Sequence, residues 1–167
     1  MTSSAFAQMF KTQKQALEQA FPAPQRTARK VLFLTEGQKR RIEKLAKVKV
    51  DSKLITYYVG SDSLKVTGYA FFDMRVVRTK SVTFVVVLQS DGRVKYVEIL
   101  AFHEPLDYLP TRRWLELFKS RLLSVGLWPK RDIANITGAT LSARAITQGV
   151  RKTLAIYQVA ISQDHAK

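Results

Sequence analysis

The sequence predicts an α+β fold: a single domain built on an antiparallel sheet of about four strands with flanking helices. Three observations carry this. Short runs rich in β-branched residues follow one another, turn residues separate them, and amphipathic helical segments lie before and after them rather than between. Strands and helices in alternation would have signalled a doubly wound parallel sheet. With 167 residues, 46% of them hydrophobic, the chain can bury one core without disulfide staples.

The elements follow in order. A first helix is expected over residues 5–20, with Phe6, Met9, Phe10, Ala16, Leu17 and Ala20 on its apolar face and Pro22 and Pro24 as its stop. Proline and charge mark a linker to about Lys30, which divides the chain into an N-terminal helix and linker (1–30) and a main domain (31–167). Thr35-Glu36-Gly37-Gln38 has the capping-box pattern, and Ile42, Leu45 and Ala46 give the helix behind it a narrow buried stripe. Strands are expected near 54–59 and 66–77, punctuated by Gly60 and Gly68. Asp91-Gly92 reads as the turn of a hairpin between 82–88 and 94–102. A third helix is expected over about 111–124, capped by Thr111, with Trp114, Leu115, Leu117, Phe118 and Leu122 on one broad face and Gly126 as its stop. From Leu141 onward, Ile146, Val150, Leu154, Tyr157 and Ile161 recur at steps of three and four, the spacing of a long helix with one buried face.

Composition removes several kinds of chemistry. There is no cysteine, which excludes disulfides, thiolate metal sites, iron–sulfur ligation and thiol catalysis, so a redox role needs a borrowed cofactor. His103 and His165 are the only histidines, and no His-Glu-x-x-His, Gly-x-Ser-x-Gly, phosphate-loop or Gly-x-Gly-x-x-Gly pattern occurs. Glu98 and Glu104 lie roughly 20 Å apart in extended geometry, too far for paired-carboxylate hydrolysis. No apolar run reaches the length of a membrane span. The net charge of +15 raises nucleic acid as a partner, and Lys39-Arg40-Arg41 with Lys44, Lys47 and Lys49 makes a dense basic helix. The cations are nevertheless spread through the chain and no nucleic-acid-binding motif accompanies them, so the same potential serves equally for an acidic electron-transfer partner, anionic lipid or a phosphate.

One stretch concentrates ligand-binding character. Thr137-Gly138-Ala139-Thr140-Leu141-Ser142 places small and hydroxylated residues at the mouth of the last helix. A helix N-terminus offers free amides and partial positive charge, which suit a phosphate, and Gly138 and Ala139 keep side chains out of its way. The plain reading of such a start is an ordinary N-cap.

This stretch, followed by Ala-Arg-Ala-Ile-Thr-Gln-Gly-Val, resembles the attachment motif of the FMN-binding domain family, which includes the flavin subunits of the sodium-pumping NADH:quinone reductase and the Rnf complex. The hairpin and its exit at His103-Glu104-Pro105 are similar to that family as well, so the resemblance covers roughly Gly60 to the end of the last helix. It implies a flavoprotein of electron transport carrying FMN through a phosphoester to Thr140, installed by a flavin transferase. Amides of Gly138, Ala139, Thr140, Leu141 and Ser142 would hold the remaining phosphate charge, with the Thr137 and Ser142 hydroxyls as secondary contacts. Tyr108 or Trp114 could stack on the isoalloxazine ring, although Trp114 equally suits a core position, and His103 or Glu104 could bond its edge. Members with covalent flavin usually carry Asp six residues before the modified Thr; here that residue is Ala134, with Asp132 two residues further upstream.

The resemblance further implies an electron carrier rather than a catalyst with its own substrate, with membrane-bound or extracytoplasmic redox partners. It also implies a periplasmic or outer-face location and residues 1–7 as the remnant of a trimmed export signal; an ordinary N-terminus accounts for Ala5-Phe6-Ala7 equally well. Two rival readings stay open: a cofactor-free interaction or sensory domain of the same fold, and a basic nucleic-acid-binding module.

Overall fold

The computed structural model describes residues 8–163. The expected export-signal remnant at 1–7, the start of the expected first helix and His165 lie outside the described residues. Six antiparallel strands form one sheet in the order β1-β6-β5-β4-β3-β2. They are β1 (Gln8–Met9), β2 (Arg26–Phe33), β3 (Leu54–Asp62), β4 (Lys65–Val76), β5 (Ser81–Gln89) and β6 (Val94–Phe102). Four helices accompany them: α1 (Gln13–Ala20), α2 (Glu36–Ala46), the single turn α3 (Arg112–Leu115) and α4 (Thr140–Ile156). Among the described residues no helix is long and apolar enough to cross a membrane.

The α+β class and the central four-strand meander are as the sequence predicts, but the sheet has six strands, not about four. Both additions sit at its margins. β1 pairs Gln8 and Met9 with Phe102 and Ala101, where a helix was expected. That helix starts only at Gln13, because the Thr12 hydroxyl accepts from the Gln15 amide while the Gln15 side chain accepts from the Thr12 amide. β2 replaces most of the expected linker. It pairs with β3 from Arg26↔Ser61 to Phe33↔Leu54, yet nearly every residue in it is exposed, so it has none of the apolar alternation that marks a half-buried strand.

The two faces of the sheet are covered unequally. On the front, Tyr69, Phe71, Phe84, Val86, Leu88, Val97 and Phe102 pack beneath α2 and α4 in the main core. On the rear, Ala70, Val85, Val87 and Leu100 meet Ala16, Ala20 and Phe21 of α1 and its exit in a smaller cluster. This division follows the period of two in β4 and β5. Gly92 closes the β5–β6 hairpin at φ +87°, and the Tyr157 ring lies where its Cβ would stand, so both turn and packing require glycine there.

The third helix is much shorter than expected. α3 passes into a 3₁₀ turn over Glu116–Phe118, then Lys119 turns extended and Ser120 adopts φ +64°. Ser120 and Arg121 instead bond Val94 of β6, Ser120 N–H to Val94 O at 2.7 Å and Val94 N–H to Arg121 O at 3.0 Å. These bonds to the sheet end the helix that the apolar spacing alone would continue.

Arg151 locks α4 to the rest of the domain. It is 2% exposed, and its guanidinium donates to Ala46 O (2.8 Å), Leu45 O (3.1 Å), Ser124 O (2.7 Å) and Leu127 O (3.1 Å) while lying 4.4 Å from the centre of the Trp128 ring. Leu45 and Ala46 end α2, so the cation sits at the negative end of that helix. Burial pushes the guanidinium below its ordinary value, though arginine stays protonated at such sites.

Candidate functional site

The start of α4 is built from a loop that stops short of capping it. Ile136 O accepts from the Ala139 amide at 3.0 Å, Gly138 turns at φ +80°, and α4 begins at Thr140 with Ala139 at the N-cap position. No side chain caps the helix and no acidic residue stands in its first turn. By helix geometry the amides of Thr140, Leu141 and Ser142 have no partner within α4. Nothing lies within 4 Å of the place a Cβ on Gly138 would occupy, so the turn opens on free space. Thr137, Gly138 and Thr140 are exposed, Leu141 is half-exposed, and Ala139 and Ser142 are buried.

The hydroxyls of Thr140 and Ser142 have different duties. Thr140 Oγ1 faces outward and accepts from Asn135 Nδ2 at 3.2 Å. Ser142 Oγ donates inward to Tyr108 O at 2.6 Å, which ties the loop after β6 to the first turn of α4. Trp114 makes a second tie: its indole N–H donates to Ala134 O at 2.6 Å, and its ring meets Phe118 edge-on at 5.2 Å. Trp114 is buried and thus positions the motif loop from beneath, the core role the sequence left open.

The structure therefore gathers Thr137 to Ser142, Tyr108 and Trp114 around one helix start. It turns Glu104 elsewhere. Glu104 is 5% exposed, and its Oε1 accepts from the amides of Arg78 (3.1 Å), Thr79 (2.8 Å) and Lys80 (2.8 Å), closing the β4–β5 turn. Burial alone would raise its pKa; the three amides and the Lys80 charge together outweigh that and hold it below the usual glutamate value. His103 stands beside it, half-buried, its amide donating to Ser81 O at 3.0 Å. Asp132 accepts from Ser124 Oγ at 3.3 Å and packs its carboxylate against Gly126.

Sequence reasoning missed Asn135. Its Nδ2 steadies Thr140, while its Oδ1 is buried with no partner. An amide residue just upstream of a hydroxyl motif was the available signal. Among the described residues no cluster of His, Asp and Glu could hold a metal. What the site offers is anion chemistry: uncapped amides, an exposed hydroxyl, no carboxylate, and Arg144 exposed one turn along.

Residues 79–155 match the FMN-binding domain family. The FMN-binding domain match takes in β5, β6, the loop with Tyr108, α3 and nearly all of α4, hence every element of the site, and the cofactor it names is FMN. No curated protein matches the chain. Among solved structures, the crystal structure of NqrC from Shewanella oneidensis is similar, with a TM-score of 0.57 over 84% of this chain and 85% of that one at 14% identity. At that identity the likeness speaks for the fold, which extends beyond the matched residues to the N-terminal strands.

Proposed function

We propose that this protein is an FMN-carrying electron-transfer protein whose flavin is held at the start of α4 through a phosphoester to Thr140. The observation that carries the reading is the exposed Thr140 hydroxyl at an uncapped helix start beside the open Gly138 turn, within the stretch that matches the FMN-binding domain family. The residues present fit a phosphate. The amides of Thr140, Leu141 and Ser142 would share its charge, and Asn135 would orient the Thr140 oxygen. The flavin supplies the redox chemistry when bound; the chain contributes position, electrostatics and a rigid base. Tyr108, whose carbonyl is tied to Ser142, and the half-exposed Leu141 would be the ring contacts. Glu104 Oε1 is engaged by the β4–β5 turn.

The similarity to NqrC supports redox partners in a membrane complex, and the phosphoester calls for a flavin transferase. An extracytoplasmic location belongs to the same reading. The test is the intact mass and fluorescence of the denatured protein after co-expression with a flavin transferase behind an export signal. A mass increase of FMN less one water, lost in Thr140→Val, is expected. Covalent flavin retained in Thr140→Val would overturn the attachment site. Flavin released on denaturation would make the binding noncovalent and overturn the phosphoester.

A further inference from the structure

The rear face of the sheet is only partly covered. α1 has eight residues and its cluster reaches Tyr58, Phe72 and Tyr96; beyond it, among the described residues, the face continues without a helix. Ladder pairing within β1–β6–β5–β4 and within β3–β2, with the alternation along β3 and β4, picks out one row on this face. Met9 stands opposite Ala101, Ala101 opposite Thr83, and Thr83 opposite Met74. The β3–β4 ladder ends at Tyr58↔Ala70, two rear-facing residues; the alternation along each strand puts Leu54 and Met74 on that same face, and Leu54 pairs with Phe33. Residues paired across a ladder share a face, so this row runs about 24 Å over the sheet at roughly 4.8 Å per strand.

No charged side chain interrupts the row, and most of it is in solvent: Met9 is 72% exposed, Met74 68%, Leu54 54% and Phe33 69%. Val31 and Val76, also exposed, flank it two residues along β2 and β4. Single exposed apolar side chains are ordinary on a protein surface; six on one sheet face are not.

The border of this face is cationic. Arg29 shares the face with Val31 on β2, Arg78 and Lys80 stand exposed in the turn just beyond Val76, and Lys53 reaches over the Phe33 ring at 5.8 Å. The carboxylate nearest Lys53 is Glu36, already paired with it at 2.6 Å. A second copy seated here would bring one cationic border against another in a chain of net charge +15. The complementary surface is broad, apolar within and anionic at its rim. That describes a lipid bilayer containing acidic headgroups, into which Phe, Leu and Met enter the acyl boundary while Lys and Arg reach the phosphates.

We propose that the rear face of the sheet, centred on Phe33, Leu54 and Met74, docks on an anionic lipid bilayer. Because α4 lies on the front face, such docking leaves its start uncovered, and the proposal stands whether or not the chain carries flavin. The test is co-sedimentation of the full chain with vesicles of phosphatidylcholine alone and with about one-third phosphatidylglycerol. Binding to the anionic vesicles only is expected, with affinity reduced about tenfold in Phe33→Ser/Met74→Ser and also reduced in Arg78→Glu/Lys80→Glu. Circular dichroism checks that both variants keep the fold. Failure of the unaltered chain to bind anionic vesicles would overturn the proposal, as it would if a protein partner covers this face. Unchanged binding of Phe33→Ser/Met74→Ser would reduce the effect to diffuse attraction by net charge, and a dimer in lipid-free solution that the same variant dissociates would assign the face to a second copy; either overturns it.

Discussion

The start and the middle of α4 treat polar groups in opposite ways. At Thr140 the hydroxyl is exposed, the first amides are uncapped, and the neighbouring Asn135 leaves an acceptor unused. Three turns on, Arg151 is 2% exposed and makes four hydrogen bonds to carbonyls from α2 and the 124–127 loop. The contrast teaches how one helix can be both scaffold and site. Its middle is saturated, which fixes it against the core, so its end can be left unsatisfied without fraying.

Breaking the saturated end should have the largest effect. Arg151→Met keeps the length but strands the carbonyls of Leu45, Ala46, Ser124 and Leu127, and a loss of about 3 kcal/mol is expected in urea unfolding. Next is Glu104→Ala, which leaves three turn amides without an acceptor and should cost about 2 kcal/mol at neutral pH. Its pH dependence has a definite sign. Since the folded carboxyl lies below 4.5, its contribution is complete above that pH and fades as pH falls through the folded value. The difference between the two proteins should therefore narrow below about pH 4.5 in matched unfolding curves; a constant difference would mean that the charge is irrelevant.

Gly138→Ala places a side chain at φ +80° in open space, so backbone strain alone should lower stability by about 1 kcal/mol, read as a small drop in Tm. The smallest effect belongs to the open end itself. Thr140→Val should alter stability by less than about 0.5 kcal/mol, because the side chain is exposed and makes one bond. A large loss there would show that Thr140 supports the fold and would erase the contrast with Arg151.

The sequence made some of this legible and hid the rest for physical reasons. The capping box at Thr35 and Gln38, the Gly92 turn and the periodic face of α4 are local signals, and each appears where the residues indicate. β2 was hidden because an edge strand with both faces exposed has no apolar alternation to read. The long third helix failed because Ser120 and Arg121 bond Val94, a contact between distant residues that no local period encodes. At the site, the motif 137–142 was readable from its small and hydroxylated residues, whereas Glu104 was readable only as a carboxylate in need of a partner. That the partner is a turn more than twenty residues upstream follows from strand pairing. Arg151 looks like any helix arginine until α2 and the 124–127 loop converge on it.

Among the described residues, β2 leaves one side of its backbone without a neighbour along the margin of the sheet. Such a margin is a template on which any extended chain could add itself, the first step toward fibrous aggregates. Three of its eight residues, Arg26, Arg29 and Lys30, are cations standing in solvent. Two molecules meeting margin to margin would press these charges together, so part of the chain's basicity acts as a guard that keeps crowded copies of the protein from knitting into one continuous sheet.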